Sequence, residues 1–355
     1  MKPAPPVTST RPSIVGRIWT PAILTALAAA ATALLGGCGD GSDAAKKPRR
    51  AAEPADSPPL HAQPAGTTAK IGNQPEGLVF DSAAGLLAVG LREPDRLAFV
   101  EPRSLATRRE VALPAAARHL AYSPAEAAVV VPAESANEVL AVSPGAGILS
   151  RLAVGRHPHD AAVLGATTFV ADEHSDQVSV LRKRALDATL PAPHQPGGIA
   201  IAGPYVVLVA VSARVLRVYD AGGLRVLGTA RAGVGPSHVV ADGTLAYVAD
   251  TQGDAIRVFR IGVRPREVAE APLPGTPYGL AVDRRRHRLW VTLTAGNRLA
   301  EYATSPAGAL RRIAGYPTVR QPNSVEVEPR SGAVLVAGRT SPGEIERIVP
   351  SGAAR

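Results

Sequence analysis

The chain has 355 residues and a formal net charge of +9, with 46% apolar, 19% charged and 4% aromatic residues. That apolar share supplies a sizeable core and excludes wholesale disorder, and so few aromatics argue against a surface built on stacking bases or sugars. A single Cys excludes an intrachain disulfide and a Cys-rich metal cluster. The basic residues are 34 Arg against 5 Lys, and none of their runs on the body is interleaved with aromatics. Nucleic acid is therefore not an expected partner.

Residues 1–17 are polar and carry Lys2, Arg11 and Arg17, and residues 18–35 carry no charge. A positive stretch, an apolar stretch and small residues before a cut are the parts of a secretory signal. The ending Leu35-Gly36-Gly37-Cys38 resembles the bacterial lipobox. That resemblance implies cleavage after residue 37, lipidation of Cys38, and export to a bacterial membrane with the anchor as the membrane partner. Losing the leader lowers the net charge to +6, because its three basic residues have no acidic counterpart. The alternative is an uncut membrane anchor, for which the apolar stretch is about long enough, although Pro21 interrupts it.

Residues 38–66 are rich in Pro, Ala, Gly and charge and show no hydrophobic period. Such a stretch buries too little apolar surface to offset the entropy of ordering, so it is expected to be a disordered tether. Its run Lys46-Lys47-Pro48-Arg49-Arg50 either meets anionic headgroups or is simply solvated.

From residue 67 on, one phrase recurs: Pro, two residues, then an apolar pair. Its copies open at Pro75, Pro158, Pro196, Pro236, Pro277 and Pro322, with a degenerate copy at Ala117. Successive spacings are 42, 41, 38, 40, 41 and 45. Each phrase is followed by a turn, a β-rich run, a polar loop and an alternating strand such as Gln177-Val178-Ser179-Val180-Leu181. Four short strands in about forty residues make a propeller blade. The expected fold is all-β, a seven-bladed propeller over 67–355. The last unit lacks its fourth strand, and Thr67-Thr68-Ala69-Lys70-Ile71-Gly72 is expected to supply it and close the ring.

Tyr247-Val248-Ala249-Asp250 and Trp290-Val291-Thr292-Leu293 end their strands before a polar loop. In this the units resemble the YVTN family of bacterial propellers. The family serves many roles, so the resemblance implies the fold and a binding or scaffold role with an unknown protein or small-molecule ligand, most simply as a monomer.

Strand alternation places the opening phrases and the loops after the second strands on one face. His119, His159 and His238 occupy opening phrases, and Asp160, Asp172, Glu173, Asp176 and Asp250 stand beside them. Imidazoles and carboxylates at a channel mouth form a donor set for a divalent metal, a small ligand or acid–base work. The plainer alternative is that they cap strand ends. His159, Asp160, Asp172, His238 and Asp250 are the ligand-binding candidates, and a divalent metal at the mouth is the one cofactor indicated.

Two units also resemble parts of the propeller lactonases. One is Arg118-His119-Leu120-Ala121-Tyr122-Ser123-Pro124 followed by Glu134; the other is His157-Pro158-His159 followed by Asp172 and Asp176. The resemblance implies Arg118, His119 and Glu134 as groups that hold substrate and activate water. This chain has Ala117 where that family has Pro, and carries the two units in reversed order. The Glu-x-His triplet of the antibiotic-cleaving lyase propellers does not occur in it. A non-catalytic binding module is thus the leading reading, with a lactone hydrolase and a metal-binding accessory protein as alternatives.

Overall fold

Each unit of the repeat alternates apolar and polar residues on strands only three to eight residues long, too short to bury a face alone, so the units must stack. The structure, a computed structural model, describes Met1 and residues 51–350. The leader, Cys38 and the basic run at 46–50 lie outside the described residues. The chain divides into two units, Met1–Lys46 and Lys47–Arg355, and every described strand belongs to the second.

Seven antiparallel sheets of four strands each succeed one another along the chain. Blade 1 holds β2 (Leu78–Asp81), β3 (Leu86–Leu91), β4 (Arg96–Val100) and β5 (Thr107–Ala112). Blade 2 holds β6 (Ala121–Ser123), β7 (Ala128–Ala133), β8 (Glu138–Ser143) and β9 (Gly147–Ala153). Blade 3 runs from β10 (Pro158–Leu164) through β11 (Thr167–Asp172) and β12 (Gln177–Arg182) to β13 (Ala185–Pro191). Blade 4 runs from β14 (Pro196–Ala202) through β15 (Tyr205–Ala210) and β16 (Val215–Asp220) to β17 (Arg225–Arg231). Blades 5 and 6 begin with β18 (Pro236–Asp242) and β19 (Leu245–Asp250), and with β22 (Pro277–Asp283) and β23 (Arg288–Leu293).

Blade 7 closes the ring. It is made of β26 (Pro322–Val327), β27 (Val334–Gly338), β28 (Gly343–Ile348) and, as its outer strand, β1 (Thr67–Gly72). Thr67 faces Arg347, Ala69 faces Ile345 and Lys70 faces Glu344. The outer strand from the start of the chain removes the open seam that a chain-end blade otherwise presents.

Burial follows from position in the blade. The second strand is sandwiched on both faces and is almost wholly apolar, as in Ala128–Ala133 and Tyr205–Ala210. The outer strand is mostly exposed and charged, as in Thr107–Ala112. Seven apolar clusters result, one at each seam between neighbouring blades. The seam between blades 2 and 3 has the smallest buried set, with Val130, Val139, Ala161, Val170 and Leu181. Apolar burial of this kind contributes about 25 cal/mol per Å².

Residues 51–58, expected to be part of the tether, have fixed partners on the loops of blades 6 and 7. Ala55 N donates to Thr294 Oγ1 (3.0 Å) and Ser57 N to Gln321 Oε1 (2.8 Å). Gln321 Nε2 donates to Ala55 O (2.9 Å), Asn297 Nδ2 to Pro58 O (2.9 Å), and the Arg320 guanidinium to Ser57 O (3.1 Å). Composition does not announce these contacts, because most of them satisfy backbone polar groups, with Ala51 and Ala52 adding a small apolar contact.

Candidate functional site

The innermost strands surround a cavity of about 390 Å³. His119, Asp160, His238, Arg284 and Glu326 are among the residues lining it. The local geometry of the opening phrase is set by the residue before the Pro in five of the six Pro copies. Gln74, His157, Gln195, Thr276 and Gln321 all have φ between 43° and 59°. The left-handed backbone of His157 is therefore a property of the repeat, not a strain peculiar to the site. The next two residues carry the mouth. In blades 3, 5 and 7 the strand pairing shifts between the Pro and the second residue after it. Blade 2 departs from this pattern: β6 is only three residues long and begins at Ala121, so Arg118 and His119 precede the ladder.

Aligning the seven phrases puts Glu76, Arg118, His159, Gly197, Ser237, Tyr278 and Asn323 in one column. A second column, the first residue beyond the second strand, holds Arg92, Glu134, Glu173 and Arg339. These two columns meet as a network of opposite charges. Arg92 Nη2 lies 3.1 Å from both Glu76 Oε2 and Glu134 Oε2, and Arg339 Nε lies 3.3 Å from Glu76. Arg118 reaches Glu134 at 3.4 Å and Glu53, on the stretch before the propeller, at 3.6 Å. Glu134 Oε1 also faces the Nδ1 atoms of His157 and His159, each at 3.8 Å, yet it has no hydrogen bond to a described residue.

His159 is buried and its Nδ1 lies 3.2 Å from Glu173 Oε2. Burial opposes the imidazolium, but the hydrogen bond and charge of Glu173, with the charge of Glu134, together outweigh it and raise the His159 pKa. Burial also opposes the Glu173 carboxylate, and the His159 hydrogen bond and charge nevertheless pull it down to about 2. Gln195 Nε2 donates to the other Glu173 oxygen at 2.6 Å. His238 and His119 behave in the opposite way. Their Nε2 atoms are 2.9 Å apart. Burial lowers the His238 pKa to about 3, with His159 and Arg118 adding to the effect. Burial and then His238 hold His119 well below its ordinary value. For Arg118, burial works against the charge, but Glu76, Tyr278 and Glu134 together raise its pKa.

The structure thus brings Arg118, His119, Glu134, His159 and His238 together, from blades 2, 3 and 5. It places Asp160 beside them on the cavity wall. Its carboxylate accepts from Ala161 N (2.8 Å) and from Ile199 N of the next blade (3.0 Å), and burial raises its pKa to about 6. Asp172 and Asp250 stand on the same face but turn back into their blades. Asp172 accepts from Ser179 Oγ (2.6 Å) and Gln177 Nε2 (3.0 Å). Asp250 accepts from Val234 N, Gly235 N (2.8 Å) and Arg257 Nε (2.8 Å). A Cβ on Gly233 would come within 2.2 Å of the Asp250 carboxylate, so this clasp also demands glycine there. Glu76, Arg92, Arg339, Tyr278 and Glu53 do not stand out when the sequence is read residue by residue. The signal that finds most of them is the pair of aligned columns.

No family model matches the chain, and no curated protein matches it in sequence. Solved structures do match in shape. The chain is a seven-bladed β-propeller. Hydrazine synthase of Kuenenia stuttgartiensis is 17% identical, with a TM-score of 0.67 over 82% of this chain and 99% of that one. A chain of the mitotic checkpoint complex is 13% identical, with a TM-score of 0.68 over 85% of this propeller and 96% of that chain. Virginiamycin B lyase of Staphylococcus aureus is 11% identical, with a TM-score of 0.65 over 80% and 99%. Relatives so distant and so different from one another establish the fold and leave the chemistry to the site.

Proposed function

We propose that the protein is an exported, lipid-anchored propeller of the YVTN type that binds a small polar ligand at its channel mouth. It acts as a binding module, not as an enzyme. The observation that carries this reading is the convergence of Arg118, Glu134 and His159 on His119 and His238, which line a cavity of about 390 Å³. Concave sites with a few convergent polar groups are where such folds bind ligands. The rim charges are already matched by opposite charges, an arrangement suited to recognition. The anchor rests on the leader and Cys38: Cys38→Ser is expected to move the chain from the membrane fraction to the soluble exported fraction.

A second reading, a lactone hydrolase, is favoured by one observation. Arg118 and Glu134 share the rim beside His119, and Asp160, held at about 6, lies on the wall below. A panel of aliphatic and sugar lactones separates the two. Turnover that disappears in Glu134→Gln supports the hydrolase, and absence of turnover above background supports the binding module.

A further inference from the structure

Three imidazoles from three blades meet at the mouth: His119 before β6, His159 in β10 and His238 in β18. One nitrogen of each lies within 4.8 Å of the other two. His159 and His238 are each 7% exposed.

A relay of hydroxyls decides which nitrogen His238 presents. Thr251 Oγ1 commits its single proton to the carbonyl of Pro277 at 2.8 Å, since a carbonyl only accepts. Ser237 Oγ, 2.6 Å from Thr251 Oγ1, must then donate to it. Ser237 is left as an acceptor for His238 Nδ1 at 3.0 Å, so Nδ1 carries the proton. A neutral imidazole protonated at Nδ1 has a bare Nε2, and that atom faces His119 at 2.9 Å. Glu173 does the same for the neutral His159: its carboxylate accepts the Nδ1–H and leaves Nε2 with a bare lone pair. Both arrangements match the way metal-binding histidines are oriented by an outer acceptor.

We propose that His119, His159 and His238 bind a divalent transition-metal ion of the zinc–copper class. Glu173 and the Ser237–Thr251 relay orient two of the ligands, and the cavity side is open to a further ligand. An all-nitrogen donor set suits zinc and copper and not calcium or magnesium, which seek oxygen. Nitrogens around a tetrahedral zinc at 2.0–2.1 Å are about 3.3 Å apart. The His119–His238 pair must open by a few tenths of an ångström, and the ion takes the place of the proton the two share. Two other groupings, His157–Glu173–His174 and Glu134–His159–Glu173, have compatible spacing. Their carboxylates are engaged, Glu173 by Gln195 and His159, Glu134 by a hydrogen bond from Arg92 to Oε2 and the Arg118 charge beside Oε1. The proposal goes beyond the ligand-binding reading and depends neither on export nor on what the ligand is.

The test is calorimetric titration of the chelator-stripped full-length chain with Zn²⁺, Cu²⁺, Ca²⁺ and Mg²⁺ at neutral pH. One Zn²⁺ or Cu²⁺ per chain is expected, and neither Ca²⁺ nor Mg²⁺. The His119→Ala/His238→Ala variant should lose this binding, and His174→Ala should keep it. Glu173→Gln and Thr251→Val, which touch no metal, should each weaken it roughly 10–100-fold. Failure of the wild type to bind zinc or copper overturns the proposal. So does full affinity in the double variant, or loss in His174→Ala alone, which moves the ion to the rim. If the double variant does not fold, unchanged affinity in both Glu173→Gln and Thr251→Val overturns it. Lactone turnover or release from the membrane leaves these outcomes untouched.

Discussion

Ile71→Ala tests the closure of the ring at a single side chain. Ile71 belongs to β1, yet it is only 7% exposed and packs with Leu78, Leu87 and Leu91 of blade 1 and Leu335 and Ile345 of blade 7. Truncating a buried Ile to Ala costs roughly 2–5 kcal/mol through lost transfer energy and the cavity left behind. An outer strand relaxes more readily than a central one, so a value near the lower end, about 2–3 kcal/mol, is expected. Its neighbour Lys70 is exposed, and Lys70→Ala should stay within about 0.5 kcal/mol of wild type. Urea unfolding followed by circular dichroism measures both. Deletion through residue 74 goes further: it strips β28 of its outer partner, leaving it paired with β27 alone, and takes from Glu346 the donor Gly66 N at 2.7 Å. Deletion through residue 60 removes only the rim contacts of residues 51–58 and should cost less. Equal midpoints for Ile71→Ala and Lys70→Ala, or for the two deletions, would refute the reasoning.

Two further expectations separate structural carboxylates from those facing the cavity. Asp250→Asn loses an acceptor of the Val234–Gly235 clasp and its charge pairing with Arg257. Denaturation should show a loss of about 1–3 kcal/mol, and zinc titration should show no change in affinity; a large change in affinity would place Asp250 in the site. Glu326, part-buried on the cavity wall, has its pKa raised by burial from 4.5 to about 7. The folded state therefore holds this proton more tightly than the unfolded state, and stability falls as pH rises from about 4.5 to about 7. The full displacement corresponds to roughly 3 kcal/mol, and partial exposure to the cavity reduces it. Glu326→Gln should flatten that slope and unfold at higher urea than wild type above pH 7; an unaltered pH profile would show that Glu326 ionises freely.

The number of blades, their boundaries and the origin of the closing strand were legible from the sequence. Each depends on local spacing: a Pro every forty residues, alternating strands, and a segment at β1 that stands before Pro75 as Leu152-Ala153-Val154-Gly155 stands before Pro158. The face on which the opening phrases and the loops after the second strands gather was legible for the same reason, since strand alternation assigns loops to ends without any tertiary contact. The chemistry of individual side chains was not. Asp172 and Glu173 are adjacent, but Asp172 ends β11 and Glu173 opens the turn after it, so one braces its blade and the other meets His159. Asp250, equally acidic and equally placed, is drawn inward by Arg257. Which of two neighbouring carboxylates faces the channel is decided by donors on other strands, and no spacing encodes them. The same holds for His238: its free nitrogen is set by Thr251 and by the carbonyl of Pro277 in the next blade. These residues meet only because the ring closes, so spacing assigns them to one face and the tertiary structure decides their partners.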